Sequence, residues 1–249
     1  MERLSLIIIL FLIISGCATS DKVEGPKDPA VLFKEAEEKL KKGSYEEARE
    51  SFKGVMERDA EKSLSPIAQI RTADSFYDEG KFNDAIDEYK KFLTLYPHNK
   101  YAGYVQYQIG MSHFKQIEGV DRGHEHIKGA IRELESFLRN YPRSTFVEEA
   151  KEKLRRCRDM AAGFELYVGN FYYKKGSYNA AVSRFEDLIK KYPQSSYVPE
   201  ALYNLGLSYV ELGNIEKAKE FLNILTKQFP NYKHKRDADK ILSRLNEKR

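Results

Sequence analysis

The chain has 249 residues, of which 41% are hydrophobic and 32% are charged. This composition supports a folded core but carries too much charge for a bundle of membrane-spanning helices. The formal net charge is +4, and the positive excess lies after residue 226, where it could meet nucleic acid, anionic lipid or an acidic protein surface.

The first element of the chain is a targeting segment. Residues 4–14 form an apolar run without a charged residue, which is too short to cross a bilayer as a helix. Arg3 precedes this run, and the small residues Ser15 and Gly16 follow it, as they do at a signal-peptidase cleavage site. We therefore expect residues 1–16 to be a signal peptide, and export argues against nucleic acid as a partner.

Residues 14–17, Ile-Ser-Gly-Cys, resemble a bacterial lipobox. The resemblance implies cleavage before Cys17 and a covalent lipid on that residue, with residues 17–28 as a lipidated tether. Several acyl chains on one residue anchor a protein stably in a membrane. Ala18 is not the aspartate that retains lipoproteins at the inner membrane, so the resemblance implies an outer-membrane address. The alternative is an ordinary signal peptide followed by a chance cysteine.

A Gly-x-aromatic-x-x-Ala unit recurs along the rest of the chain. It occurs at residues 43–48, 80–85 and 176–181, and residues 213–218 repeat it with isoleucine in the aromatic position. In the last three of these units a proline follows the alanine by twelve residues. Ala130 has a proline at the same spacing, which reveals a fifth unit that lacks the glycine. These four prolines are Pro97, Pro142, Pro193 and Pro230.

This pattern resembles the tetratricopeptide repeat, in which a glycine turn joins a helix A to a helix B. Glycine suits the left-handed residue that ends helix A, and proline stops helix B. Small residues let the two helices approach closely, and further prolines fall in the first turn of helix A. The resemblance implies an all-α fold, a right-handed superhelical solenoid of about five helix-turn-helix repeats. The small helix A residues are Ala36, Ala73, Gly169 and Gly206, and the first-turn prolines are Pro29, Pro66 and Pro199.

Two irregularities interrupt the array. The third unit has eight extra residues around residues 119–126. A further fourteen extra residues, rich in helix formers, precede the fourth unit. We expect them to join helix A of that unit in one long helix from about residue 144 to residue 175, which Gly163 could kink.

The long helix divides the chain into two halves. Residues 29–142 form an N-terminal half of three repeats. Residues 143–249 form a C-terminal half that contains the long helix, two repeats and a capping helix. Apolar residues at helical spacing predict this capping helix at residues 237–248, because the end of a solenoid needs a helix with one polar face.

The sequence contains no recognisable catalytic motif, since Gly-x-Ser-x-Gly, a phosphate-binding glycine loop and His-Glu-x-x-His are all missing from it. His124 and His126, with Asp121 and Glu125, come closest to a metal cluster. Residues two apart on a helix, however, do not share a face. We therefore expect no enzyme activity, no metal, and no cofactor besides the covalent lipid on Cys17.

Helix A residues of the second and third units form a stripe that would line the concave groove of the array. An apolar groove with scattered acidic groups suits an extended or helical peptide. The alternative is that these side chains pack between the repeats. The stripe comprises Ile70, Asp74, Tyr77, Tyr104, Tyr107 and Met111.

The exported chain resembles the BamD (ComL) family of lipoproteins from the β-barrel assembly machinery. The resemblance rests on residues 43–52, 96–98, 104–110, 121–122 and 171–181. It implies an accessory subunit on the periplasmic face of the outer membrane that helps to insert outer-membrane proteins. The C-terminal repeats would bind the periplasmic domains of the barrel-forming BamA subunit, and the N-terminal groove would receive unfolded substrate segments. A scaffold lipoprotein of pilus assembly or of the Tol–Pal system is the alternative.

The same resemblance places Arg184 at the contact with BamA. Arg184 follows Ala181 by three residues on helix B, so we expect it to point toward the edge of the array. Its planar guanidinium could hold a carboxylate of the partner with two hydrogen bonds. The alternative is a pair with Asp187 in the same helix, worth about 0.3–0.5 kcal/mol on a solvated face.

Overall fold

The regular elements of the described chain are α-helices. The computed structural model describes residues 28–119 and 123–247, so the expected signal peptide, Cys17 and residues 121–122 lie outside the described residues. The helices of the described residues are α1 (Pro29–Lys41), α2 (Tyr45–Arg58), α3 (Ser65–Asp78), α4 (Phe82–Leu95), α5 (Ala102–Lys115), α6 (His124–Asn140), α7 (Val147–Lys174), α8 (Tyr178–Lys191), α9 (Val198–Glu211), α10 (Ile215–Gln228) and α11 (Lys235–Glu247).

The helices pack in chain order, each against the next. They form five repeats, α1–α2, α3–α4, α5–α6, α7–α8 and α9–α10, in which the first helix is helix A and the second is helix B. The last helix, α11, packs against α10 and closes the array. The predicted tetratricopeptide solenoid is therefore confirmed.

The turns follow the sequence pattern. The glycines that end helix A in four repeats have φ between 72° and 82°, a left-handed conformation that glycine adopts without steric cost. The expected prolines lie in the first turn of helix A, where a backbone N–H has no partner within the helix. The glycines are Gly43, Gly80, Gly176 and Gly213, and the prolines are Pro29, Pro66 and Pro199.

Helix A and helix B approach closely at one small residue in each repeat. A Cβ atom added to Gly169 would lie 2.4 Å from Cε1 of Phe185, and one added to Gly206 would lie 2.6 Å from Cγ of Leu222. In both repeats the large side chain follows the helix B alanine by four residues and is fully buried. The equivalent positions of the other repeats are Ala36 and Phe52, Ala73 and Tyr89, and Gly110 and Leu134.

The long helix is α7, with 28 residues and a length of about 42 Å. It begins three residues later than expected and runs without interruption through Gly163. Leu154, in its first half, shares a core cluster with Phe137 of α6. Leu166, in its second half, shares another cluster with Phe185 of α8. One helix thus supports both halves of the array.

The C-terminal core is continuous from the second half of α7 through α11. Ala238 and Leu245 of α11 are buried in it, and Ile241 and Leu242 pack against it. The predicted capping helix therefore occurs as α11, which begins two residues before the expected start.

The first repeat ends differently from the others because Asp59 replaces the aromatic residue that precedes proline elsewhere. Its carboxylate accepts hydrogen bonds from the backbone N–H groups of Leu64 (2.8 Å) and Ser65 (2.6 Å), and from the Ser65 hydroxyl (2.8 Å). Burial alone would raise the pKa of Asp59, but these bonds and those from Ser63 outweigh it and lower the pKa to about 2. The carboxylate thus caps the start of α3, whose first N–H groups lack partners within the helix.

We predict that Gly169→Ala lowers the free energy of unfolding by about 1–3 kcal/mol, because the new methyl group would overlap the ring of Phe185 in a packed core. The change can be measured by urea denaturation followed by circular dichroism.

The matched control is Gly54→Ala, in the middle of α2. There the new methyl group would meet the terminal nitrogen of Arg58, which can move away, so alanine should leave stability unchanged or raise it by up to about 1 kcal/mol. Equal effects of the two substitutions would contradict the close-approach explanation.

Candidate partner-binding sites

The predicted groove stripe is largely part of the core. Ile70, Asp74, Tyr107 and Met111 are buried, so the expectation that they line an exposed groove is wrong for these four residues. They are covered because each repeat packs against the next along this stripe, so that only Tyr77 and Tyr104 among its six residues remain partly accessible. The alternative of packing between repeats describes most of the stripe.

Asp74 is the centre of a buried hydrogen-bond network. The hydroxyl of Tyr89 donates to Oδ1 of Asp74 at 2.6 Å, and the hydroxyl of Tyr104 donates to the same oxygen at 2.9 Å. Nη1 of Arg71 lies 3.4 Å from Oδ2, and Gln108 donates to the Tyr104 oxygen at 2.9 Å. Burial raises the pKa of Asp74, while the bonds from the tyrosines and the charge of Arg71 oppose that rise.

This network joins the first three repeats. Arg71 also pairs with Glu37 of α1, with 2.8 Å between Nε and Oε1. Tyr89 lies on α4 and Tyr104 on α5, so one carboxylate holds α3, α4 and α5 together, and Arg71 extends the connection to α1. Such a network specifies how the repeats pack, because a buried polar group without a partner is costly.

Tyr107 and Met111 hold α5 to the following helices. The ring of Tyr107 stacks on that of Phe146, with centroids 4.8 Å apart and planes at 11°. It also contacts the ring of Phe137 on α6, with centroids 5.6 Å apart. Met111 belongs to the same cluster, which reaches Leu154 of α7. These contacts account for the burial of the third-unit stripe.

Arg184 lies at the junction of α7 and α8. Its Nη1 is 3.2 Å from Oε2 of Glu165 on α7, and its side chain remains 40% exposed. Asp187 pairs instead with Lys191, at 3.0 Å, so the expected alternative of an Arg184–Asp187 pair is wrong. Nε and Nη2 of Arg184 have no partner among the described residues. The guanidinium is therefore held by Glu165 and still open to solvent.

The inserted segment of the third unit ends against α7. The ring of His124, the first residue of α6, stacks on that of Phe164, with centroids 4.1 Å apart. Burial lowers the pKa of His124, which favours the neutral ring. Asp121 lies outside the described residues, and within residues 28–119 and 123–247 no three side chains are grouped to hold a metal.

Sequence reasoning missed an exposed aromatic pair on α7. Tyr167 is 59% exposed and Phe171 is 52% exposed. The positions equivalent to Phe171 in repeats two, three and five hold serines, which are fully buried. The replacement of a serine by phenylalanine at this position of the repeat was a signal in the sequence. These serines are Ser75, Ser112 and Ser208.

None of the helices in the described part of the chain is both long and apolar enough to span a bilayer.

The fold defines the class of protein as a tetratricopeptide-repeat protein. A crystal structure of a TPR repeats protein from Bacteroides fragilis superposes with a TM-score of 0.50 and 12% identity, covering 88% of this chain and 99% of that one. Residues 26–222 match the YfiO family, described as outer membrane lipoprotein, and the chain belongs to this family.

Curated relatives cover nearly the whole chain. Two of them are named "Outer membrane protein assembly factor BamD". The protein from Caulobacter vibrioides is 28% identical and covers 92% of this chain and 77% of its own length. The protein from Rickettsia prowazekii is 28% identical and covers 93% of each chain.

We predict that Tyr104→Phe lowers the free energy of unfolding by about 1–3 kcal/mol at neutral pH, because it removes a donor to the buried Asp74 carboxylate. In the parent protein the bond from Tyr104 favours the ionised form of Asp74. Its loss therefore raises the pKa of Asp74 further in the variant. The deficit should therefore shrink in acid, where Asp74 is protonated, and grow as the pH rises through that pKa.

Urea denaturation at neutral and at mildly acidic pH measures this difference. Tyr101→Phe, at an exposed tyrosine of the same repeat, is the control and should have no effect at either pH. A deficit that is equal at both pH values would contradict the role of Asp74.

Proposed function

We propose that this protein is an outer membrane protein assembly factor that acts as a scaffold and catalyses no reaction. The observation that carries the proposal is the match to the YfiO family over residues 26–222, which covers the first four repeats and reaches into helix B of the fifth. The names of the relatives from Caulobacter and Rickettsia support the same role. A solenoid suits this task because its stacked helices present extended surfaces to other chains.

The proposed location is the periplasmic face of the outer membrane. A lipid on Cys17 would hold the chain there, and residues 17–28 would separate the lipid from α1. The family description as outer membrane lipoprotein supports this anchor.

The proposed contact with BamA centres on Arg184. Glu165 holds one nitrogen of its guanidinium and fixes its orientation, while the side chain as a whole stays 40% exposed. An arginine oriented in this way loses little conformational entropy when a carboxylate of a partner approaches. We therefore propose that the edge of α8 binds an acidic group on the periplasmic domains of BamA.

The proposed substrate contact is smaller than the sequence indicated. Because most of the stripe is buried, unfolded outer-membrane segments would meet only the partly accessible Tyr77 and Tyr104 and the surface around them. The rings of Tyr77 and Phe82 form a T-shaped contact, with centroids 5.3 Å apart, which fixes the position of the half-buried Tyr77 ring. A weak, sequence-tolerant contact of this kind suits clients of varied sequence.

We predict that Arg184→Gln weakens binding to the isolated BamA periplasmic domains by about 2 kcal/mol or more, because it leaves the partner carboxylate without its cation. Isothermal titration measures the affinity. Glutamine is preferable to glutamate, which would place a second carboxylate against Glu165.

Lys227→Gln is the control, since Lys227 is exposed on α10 and has no ion pair among the described residues. Thermal unfolding of both variants shows whether a loss of affinity comes from the missing contact with BamA or from unfolding of the variant. Unchanged affinity of the Arg184 variant would rule out the contact, and capture of pilus or Tol proteins in place of BamA from solubilised outer membranes would favour the alternative scaffold function.

A further inference from the structure

A groove lies between α6, the first half of α7 and the turn that joins α8 to α9. Its volume is ≈1190 Å³. Apolar side chains of all three segments line it, among them Ile131, Leu154 and Tyr192. We call this the basic groove, after the six cationic residues that surround it: Arg139, Lys151, Arg155, Arg158, Lys190 and Lys191.

Both acidic residues of the basic groove already have partners within the protein. Glu135 pairs with Nη2 of Arg158 at 2.8 Å. Asp159 accepts hydrogen bonds from the hydroxyl of Ser195 at 2.6 Å and from the backbone N–H of Ser196 at 3.0 Å. These bonds fasten the α8–α9 turn to α7, so the wall of the groove is fixed before any ligand binds.

Three of the six cations lack an anionic partner. Lys151 pairs with Glu148 and Lys191 with Asp187, but Arg139, Arg155 and Lys190 have no ion pair among the described residues. All three are exposed. They come from three different helices and converge on one concavity, which concentrates positive potential there.

We propose that the basic groove binds a polypeptide segment in which acidic residues alternate with apolar ones. The unpaired cations of the groove would pair with the acidic residues of the segment, and the apolar side chains that line the groove would contact its apolar residues. The volume exceeds the range of about 300–1,000 Å³ that is usual for small-molecule pockets. A flat lipid surface would reach the rim of a concave site but not its apolar lining, so the shape favours a chain segment.

The test uses the full-length protein in detergent micelles and a fluorescein-labelled synthetic peptide of alternating glutamate and leucine. Fluorescence anisotropy should report binding that weakens as salt is added, and a lysine–leucine peptide should not bind. The combined substitution Arg139→Gln, Arg155→Gln and Lys190→Gln should weaken binding about ten-fold or more. Arg184 is intact in this variant. A negative result for peptide binding to the basic groove is therefore independent of whether Arg184 binds BamA.

The matched control carries Lys53→Gln, Lys219→Gln and Lys227→Gln, which remove the same charge outside the groove from residues without ion pairs. It should bind the acidic peptide as the parent does. Equal binding by parent and groove variant, or absence of binding by the parent, would overturn the proposal. A third result would also overturn it: the parent does not bind the peptide but sediments with phosphatidylglycerol vesicles, and the groove variant does not. The occupant would then be a lipid surface.

Discussion

The close approach of helix A to helix B governs this structure. In each repeat a residue with no side chain, or only a methyl group, faces a large, fully buried residue of helix B. At Gly169 and Gly206 the distance leaves no room even for one more carbon atom. Because the same contact recurs along the chain, each helix pair takes a similar geometry, and the pairs stack into a continuous array.

The long helix α7 modifies this regular array and generates most of its distinctive surfaces. Its first half belongs to the core of α6 and its second half to the core of α8. Glu165, which holds Arg184, lies on it, and so do three of the six cations of the basic groove, Lys151, Arg155 and Arg158. The exposed pair Tyr167 and Phe171 also lies there, and the position of Phe171 is fully buried in repeats two, three and five.

The sequence was sufficient for the fold because the determinants are local: left-handed glycines, first-turn prolines and small residues at fixed spacing. It was not sufficient for the site. Ile70 and Tyr107 were expected in a groove, but their exposure depends on how neighbouring repeats pack, which spacing within one repeat does not specify. The alternative predicted for Arg184 was a pair with Asp187, three residues away in the same helix. Its observed partner, Glu165, lies on another helix. Contacts between helices set both outcomes.

The central claim is that this protein is a scaffold for the assembly of outer-membrane proteins. The most direct test is to deplete it in cells and to quantify β-barrel proteins in the outer membrane. We predict that many unrelated barrel proteins decline together, before pili or the Tol–Pal system are affected. Unchanged barrel content, with loss of pili or of Tol–Pal function, would contradict the account.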